Sequence, residues 1–401
     1  MDALHSAKEI VLELRSLGHV AYFAGGWVRD FLLGIPSSDI DIATDAEPDE
    51  IVQIFPDHVL VGAQFGVVLV LYGPHQFEIA TFRKDVLYEN GRKPTHVLLK
   101  STPYEDAQRR DFTINGMFYD PATEEIHDFV HGKEDLAKKI IRTIGNPLDR
   151  FQEDRLRMVR ACRFACRFGF TIEEQTEQAI QQLSHTLLPA VSMERIWQEL
   201  SKMHESPHFA EALYTMHRLG LLSIIFPPLA SVSQEGMHER LAPLSILQPH
   251  VPCILLLTQL FHKEDISFIQ TLQQYLRASN EDGKWIECYI EIQTTDLASL
   301  DPYHLVKIFA NKHFEICFEV HVASMRQEER EKWLDWYRRE ASKLDFFIHA
   351  MRKKEPIVRA KDLISRGIQP GVAMGKLLEE ALKISINQNL RDKNVILSQL
   401  L

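Results

Sequence analysis

Two aspartates one residue apart, Asp39 and Asp41, are the strongest candidates for chemistry in this sequence. They lie in the strand-like stretch DIDIA, and residues two apart in a β-strand point to the same face. Their carboxylates would project side by side, where their mutual repulsion is unfavourable unless a cation lies between them. Mg²⁺ prefers oxygen ligands and is commonly held by one or two carboxylates together with substrate phosphates. The pair therefore indicates metal-dependent chemistry on a phosphate compound, in which two ions can activate a hydroxyl and stabilise a leaving pyrophosphate.

A candidate phosphate-binding segment lies just before these aspartates, at Gly25, Gly26 and Arg29. Glycine lets the backbone approach phosphate oxygens closely, an arginine adds charge against a triphosphate, and a helix beginning near Trp27 would add its N-terminal amides. An isolated Asp-x-Asp or Gly-Gly is common in solvated turns, but both together with an arginine between them are much rarer. Glu78, in the strand-like FEIATF, could add a third carboxylate, and a surface strand position explains it equally well.

A second candidate is the arginine-rich segment at residues 150–170, RFQEDRLRMVRACRFACRFGF. Its apolar residues recur at helical spacing, and Arg160 and Arg163 fall beside that apolar stripe. Asp154 and Arg157 are three residues apart, so on one helix they would be surface neighbours. The segment is predicted to be a helix, and ion pairs among its own side chains would explain these charges without any ligand.

The same Asp154 and Arg157 could also recognise a nucleobase. Adenine and cytosine present an exocyclic amino donor beside a ring-nitrogen acceptor, so a carboxylate accepts from the first and a guanidinium donates to the second. Guanine and uracil present a carbonyl and an N–H at those places, which would leave both protein groups unpaired at a high cost in a buried pocket. The pair would thus accept ATP and CTP and reject GTP and UTP without a nucleic-acid template.

These candidates lie in two regions of different texture. Residues 18–145 combine short strand-like runs with turns, whereas the pattern after Pro147 is mainly helical. The predicted fold class is therefore α+β, with strands and helices in the N-terminal part and mainly helices after it. The predicted elements of the first part are a helix at residues 1–17, strands at 20–24, 39–43, 67–72 and 77–82, and a helix at 28–33.

The composition is that of a folded protein, with 45% hydrophobic and 25% charged residues in 401. No apolar run is long enough to cross a bilayer, and the N-terminus lacks the features of a signal peptide, so we expect a cytoplasmic protein with no membrane partner. The net charge of −11 argues against a global nucleic-acid-binding surface; no DNA partner is expected, and an RNA partner must meet a local group of basic residues. Cys162 and Cys166, four residues apart, are expected to be core residues.

Four motifs then point to a family, because their order and content resemble the bacterial-type (class II) tRNA nucleotidyltransferases and poly(A) polymerases. The motifs are GGWVRD at 25–30, DIDIAT at 39–44, RRDFTIN at 109–115 and EDRLRMVRACRF at 153–164. The resemblance implies a polymerase-β-like nucleotidyltransferase head with a small mixed sheet, followed by all-α neck, body and tail. The implied bounds are 1–145 for the head, 146–205 for the neck with the base-reading helix, 206–300 for the body and 301–401 for an RNA-binding tail.

The resemblance also implies roles for individual residues. Asp39 and Asp41 would be catalytic and would hold Mg²⁺, and ATP and CTP would be substrates alongside the 3′ end of tRNA. The implied nucleotide-binding residues are Gly26, Arg29, Arg110, Asp154, Arg157, Arg160 and Arg163. Of these, Gly26, Arg29 and Arg110 match triphosphate and ribose contacts.

Two further segments resemble parts of family members. Residues 83–108 resemble a flexible loop of members that add adenosine, and residues 362–382 resemble a tail element of tRNA-directed members, with a helix–turn–helix break at residues 366–371. Gly116 departs from the pattern, since many members have alanine after RRDFTIN. The middle body, residues 230–345, matches no motif of the family.

These observations lead to three candidate functions. The first is template-independent addition of C, C and A to the 3′ end of tRNA, with release of pyrophosphate. The second is a poly(A) polymerase or an enzyme that adds only the terminal A, and the motifs do not separate it from the first. The third is a catalytically silent RNA-binding protein on the same scaffold, against which the intact Asp39 and Asp41 pair argues.

Overall fold

The N-terminal part of the computed structural model is built on a mixed sheet. The described residues are 2–60, 65–88, 94–99, 101–247, 250–261 and 266–401. They divide into two units, Met1–Gln234 and Glu235–Leu401; the finer division into head, neck, body and tail stays a prediction. No helix in these ranges is long and apolar enough to cross a membrane.

The strands lie in the first unit, together with the helices that precede the unit boundary. The strands are β1 (Ala21–Ala24), β2 (Asp41–Thr44), β3 (His58–Val59), β4 (Val67–Tyr72), β5 (His75–Thr81), β6 (Arg83–Tyr88), β7 (Pro94–Leu99), β8 (Phe118–Asp120), β9 (Glu125–His127), β10 (Ile140–Ile141) and β11 (Thr171–Ile172). The helices are α1 (Ala3–Ser16), α2 (Gly26–Leu32), α3 (Pro48–Ile54), α4 (Pro103–Arg109), α5 (Gly132–Lys138), α6 (Pro147–Glu153), α7 (Leu156–Phe168), α8 (Glu174–Leu183), α9 (Leu187–Ala190), α10 (Met193–Met203), α11 (Phe209–Arg218) and α12 (Leu221–Ile225).

The main sheet has the strand order β3-β4-β5-β2-β1-β8-β9. Strand β2 runs parallel to β5 and antiparallel to β1, so the sheet is mixed, as predicted. Its core is apolar and includes the buried Ala43, Phe82 and Phe118. The register pairs Ala24 with Asp41, which places the end of β1 beside the start of β2.

This core explains Gly116, the glycine that follows the third motif, RRDFTIN. A Cβ atom on Gly116 would lie 2.7 Å from Val130 Cγ2 and 2.9 Å from Ile144 Cδ1. Such contacts are far shorter than the normal separation of packed carbon atoms. The departure from alanine therefore fits the packing of this chain.

Two local predictions were wrong in detail. The segment at 150–170 is not one helix: α6 ends at Glu153, Asp154 has extended backbone angles (φ −140°, ψ 105°), and α7 begins at Leu156. Strand β2 begins at Asp41, so Asp39 precedes the strand. Asn146 starts α6, because its side chain accepts from the Leu148 amide and Pro147 fits the first helical position.

The predicted loop at 83–108 contains regular structure. Strands β6 and β7 pair as an antiparallel hairpin, and α4 follows with a capping box between Thr102 and Glu105. Residues 89–93 and 100 lie outside the described residues, so flexibility of this segment stays a prediction.

The described part of the second unit is helical. Its helices are α13 (Gln234–Leu241), α14 (Leu244–Leu247), α15 (Cys253–Thr258), α16 (Ile266–Leu276), α17 (Asn280–Thr294), α18 (Pro302–Phe309), α19 (Phe314–Ala323), α20 (Gln327–Arg352), α21 (Ala360–Ile364), α22 (Val372–Asn387) and α23 (Lys393–Leu400). The predicted turn at 366–371 is confirmed, since it lies between α21 and α22. A small core of Leu363, Met374, Ala381 and Ile396 holds these last helices together.

Candidate active site

A cavity of about 830 Å³ in the first unit brings together most of the predicted site residues. This volume is within the range of small-molecule sites. The predicted residues in its wall are Gly26, Arg29, Asp41, Arg110, Asp154, Arg157, Arg160 and Arg163. Elements far apart in sequence thus meet at one place, as a nucleotide site requires.

Asp41, the first residue of β2, lies in the cavity wall. The parallel register pairs Ile42 with Ile79, so the preceding residues, Asp41 and Glu78, are neighbours on adjacent strands. Glu78 also lines the cavity. Asp39 is exposed in the segment that enters β2 and is not among the described lining residues.

The carboxylate of Asp41 is in an environment that disfavours its negative charge. Burial, followed by the charges of Asp39 and Glu78, raises its pKa to about 6, against the opposing charge of Arg110. A cation beside these carboxylates would relieve their repulsion. Within the described ranges no three or more His, Cys, Asp or Glu residues are grouped to hold a metal ion. An ion held by two carboxylates would thus take its other oxygen ligands from phosphate and water, an arrangement that suits Mg²⁺.

Gly25 places the backbone beside both a carboxylate and a guanidinium. Its φ is 68°, and an added Cβ would lie 2.9 Å from Arg110 Nη1 and 3.7 Å from Asp41 Oδ2. Arg110 is oriented by Asp106, to which Nε and Nη2 donate at 3.2 and 3.0 Å, while Nη1 donates to the Asn115 carbonyl at 3.3 Å. The geometry is that of a narrow cradle for an anion between Arg110 and the backbone at Gly25.

Arg29 reinforces this positive region from inside the wall. It is buried, donates from Nε to Asp30 at 2.8 Å and from Nη1 to Asn115 Oδ1 at 2.6 Å, and lies 4.7 Å from the centre of the Phe168 ring. Burial lowers the pKa of Arg29, and Asp30 opposes that shift. Gly26 begins α2, and a Cβ there would lie 3.4 Å from Arg29 Nη2. Arg29 therefore contributes a fixed charge with an oriented guanidinium.

The predicted base-reading residues are both in the wall, but each is held by a different partner. Asp154 Oδ1 accepts from the Leu156 amide at 3.1 Å, and Oδ2 lies 3.3 Å from Arg195 Nη2. Arg157 Nη1 donates to Glu153 Oε2 at 2.8 Å. An ion pair within the segment, between Glu153 and Arg157, is thus present, while Asp154 lies outside both helices rather than on a shared helix surface.

Two buried acids hold the arginines of α7. Asp111 accepts from Arg160 Nε at 2.9 Å and from Asn115 Nδ2 at 3.0 Å. Burial alone would raise the pKa of Asp111, but Arg160 and the Asn115 bond hold it well below its usual range. Glu199 accepts from Arg163 Nε at 2.5 Å. The guanidinium groups of α7 are thereby fixed against the cavity.

The cavity wall is strongly positive although the chain is acidic overall. Nine arginines and four carboxylates are among its described lining residues, whereas the whole chain has a net charge of −11. Such a local concentration of guanidinium groups suits a polyphosphate.

Cys162 and Cys166 lie on the other face of α7 and are buried. Burial raises the pKa of the Cys162 thiol to about 12 and that of the Cys166 thiol to about 11, as fits core residues.

Sequence reasoning missed several residues of this site. Arg195 and Glu199 lie on α10, more than thirty residues after the motifs, and carry no motif signal of their own. Asp111 lies inside RRDFTIN, so the motif contained it without revealing that it pairs with α7. Glu78 was considered as a third carboxylate, and its position beside Asp41 supports that alternative.

The comparisons with known proteins agree with this geometry. Residues 21–142 match the family described as the poly A polymerase head domain, and residues 169–232 match the family described as a probable RNA and SrmB-binding site of polymerase A. A CCA-adding enzyme of Geobacillus sp. (strain WCH70) is 42% identical over 220 residues, 55% of this chain and 54% of the relative. One of Bacillus cereus (strain Q1) is 40% identical over 239 residues, 59% of each chain. The aligned part thus spans little more than half the length of these curated relatives.

Solved structures extend the likeness over the whole chain. The Bacillus stearothermophilus CCA-adding enzyme in complex with CTP is 27% identical with a TM-score of 0.78, covering 100% of this chain and 97% of that one. The Thermotoga maritima CCA-adding enzyme complexed with tRNA_CCA is 23% identical with a TM-score of 0.68, over 99% and 94% of the two chains, a likeness of fold. These matches confirm the resemblance seen in the four motifs: residues 21–142 match the poly A polymerase head domain, and over the whole chain the fold is similar to that of bacterial CCA-adding enzymes.

Proposed function

We propose that this protein adds C, C and A to the 3′ end of tRNA from CTP and ATP, with release of pyrophosphate and without a nucleic-acid template. The observation that carries the proposal is the single cavity that contains both Asp41 beside the glycine turn and Asp154 with Arg157. The first group suits metal and triphosphate, and the second suits the two bases that share an amino donor beside a ring acceptor. The similar proteins of Geobacillus, Bacillus cereus and Bacillus stearothermophilus are CCA-adding enzymes, which supports CCA addition over the alternatives.

Asp39 and Asp41 would hold the metal, with Glu78 beside them. Bound Mg²⁺ would lower the pKa of the attacking 3′-hydroxyl and stabilise the charge on the departing pyrophosphate. The raised pKa of Asp41 means that its carboxylate must lose a proton before it binds a cation. The protein's contribution here is to hold these carboxylates next to Gly25, where strand β1 ends.

The arginines would orient the triphosphate. Arg110 points Nη1 at the turn of Gly25 and is held from behind by Asp106. Arg29 adds charge through the wall. Because these guanidinium groups are fixed by ion pairs, the reacting phosphate would be held without further ordering of the side chains.

Asp154 and Arg157 would select the base. A carboxylate accepts from the amino group of cytosine or adenine, and a guanidinium donates to the ring nitrogen beside it. A guanine or uracil would present a carbonyl to Asp154 and an N–H to Arg157, and this mismatch lowers its transition-state binding. Selection by the protein itself removes the need for a template.

The cytoplasm is the proposed compartment. The five cysteines are free thiols and buried. Free thiols are typical of proteins from a reducing compartment.

The nucleotide-addition assay tests the function directly. The purified protein is incubated with tRNA that ends at the base before CCA, together with CTP, with ATP, or with both. We expect two additions with CTP alone and three with both nucleotides. No extension with CTP, combined with a single addition or a long tract from ATP, would refute CCA addition and favour an A-adding enzyme or a poly(A) polymerase.

A further inference from the structure

One face of α10 meets the cavity through two charged residues. Arg195 and Glu199 are four residues apart on this helix, so they lie on the same face one turn apart. Glu199 is buried and holds Arg163 of α7 through a short hydrogen bond, and its second oxygen lies 3.8 Å from Arg160 Nη1. The same helix face therefore positions side chains of the neighbouring cavity wall.

Arg195 makes the corresponding contact to Asp154. Its Nη2 lies 3.3 Å from Asp154 Oδ2, and both residues line the cavity. Asp154 lies at the junction of α6 and α7 with an extended backbone, so helical geometry does not fix its side chain. Its other oxygen is held locally by the Leu156 amide. Arg195 is thus the contact that anchors this carboxylate to a different element of the fold.

We propose that Arg195 is a positioning residue for base selection, acting through Asp154. A carboxylate oxygen has two acceptor directions, so Oδ2 can pair with Arg195 and still accept from the amino group of a cytosine or adenine. The pairing favours one orientation of the carboxylate. This inference rests on the proposed function, in which Asp154 reads the base.

The test is the selectivity of single-nucleotide addition by Arg195→Ala and Arg195→Gln. The kcat and KM for one addition are measured with CTP and with UTP on tRNA that lacks CCA. We expect the ratio of kcat/KM for CTP over UTP to fall by about tenfold, the size of one lost charge-assisted hydrogen bond, mainly through KM for CTP. Arg155→Ala is the matched control, because Arg155 flanks Asp154, donates to the Gln152 carbonyl and is not among the described lining residues.

A double variant shows whether Arg195 acts through Asp154 or only stabilises the fold. In an Asp154→Ala background, Arg195→Ala should change the CTP to UTP ratio no further, because the residue through which it acts is gone. Arg195→Lys should restore part of the selectivity, since it returns a cation. Should Arg195→Ala unfold, the Gln and Lys variants decide, with thermal unfolding as the check on their fold.

Two results would overturn the inference while leaving the proposed function intact. One is a CTP to UTP ratio in Arg195→Ala and Arg195→Gln equal to that of Arg155→Ala. The other is an effect of Arg195→Ala that is equally large with and without Asp154. A wild-type protein that adds neither C nor A would instead refute the proposed function, and this inference with it.

Discussion

The binding of a divalent cation to Asp41 should depend steeply on pH. The pKa of this buried carboxyl is raised to about 6 by burial and by Asp39 and Glu78. A metal ion competes with the proton for the same oxygens, so its apparent affinity follows the ionised fraction. The group is about half ionised at pH 6, about one tenth ionised at pH 5 and almost fully ionised at pH 8. The dissociation constant should therefore rise about tenfold from pH 8 to pH 5.

The raised pKa of Asp41 also makes the free energy of unfolding depend on pH. Because the folded pKa lies above the ordinary value of 3.8, the folded state binds more protons than the unfolded state between these two values. The contribution of Asp41 to the free energy of unfolding should then decrease as the pH rises through that window. At neutral pH, a cation bound to the folded state would raise the free energy of unfolding and offset this decrease.

The measurement is Mn²⁺ binding followed by electron paramagnetic resonance of the free ion, without nucleotide, because nucleotide phosphates titrate in the same range. Asp41→Asn should abolish the pH-dependent binding, and Asp49→Asn, an exposed acid in the first turn of α3, is the matched control. Glu78→Gln should shift the midpoint to lower pH, since it removes a charge that raises the Asp41 pKa. A dissociation constant for Mn²⁺ that does not change from pH 5 to pH 8 would refute control of cation binding by the ionisation of Asp41.

Three further predictions concern other parts of the site. Asp154→Ala should weaken discrimination against GTP and UTP more than it weakens triphosphate binding, measured as kcat/KM for each nucleotide; an unchanged preference would contradict base reading. Asp111→Asn should lower the free energy of unfolding by about 3 kcal/mol at neutral pH, as expected for a broken buried ion pair. Because the Asp111 pKa is held low in the folded state, this deficit, measured by chemical denaturation, should shrink as the pH falls. An equal deficit at low pH would contradict this prediction. Gly25→Ala should raise KM for CTP by displacing Arg110, whereas Gly34→Ala, with a similar φ of 69° and no neighbour within 4 Å, should leave KM unchanged; equal effects of the two would mean that backbone strain alone is responsible.

The sequence predicted the parts of the site that depend on short-range geometry. The spacing of Asp39 and Asp41 indicated two carboxylates close together, and the charge of Asp39 does raise the pKa of Asp41, although Asp39 precedes the strand. The glycines at 25 and 26 and the arginine after them were correctly placed at a strand–helix turn. The change from mixed to helical texture after Pro147 predicted the α+β fold, because periodicity is a local property.

The parts that sequence reasoning missed depend on long-range contacts. Periodicity suggested one helix over 150–170, but the Asp154 side chain binds the Leu156 amide and breaks it. Propensity does not reveal such a side-chain competition in advance. Arg195 and Glu199 reach the site only because α10 packs beside α7, which no local pattern encodes.

We propose that Asp39 and Asp41 are the metal-binding carboxylates of a nucleotidyl-transfer site. The most direct measurement is single C addition to tRNA lacking CCA by the Asp39→Asn/Asp41→Asn double variant, with CTP binding and thermal unfolding measured on the same samples. We predict that incorporation falls to background while the variant stays folded and still binds CTP through its arginines. Incorporation near the wild-type rate by a folded double variant would show that Asp39 and Asp41 are not the metal-binding carboxylates.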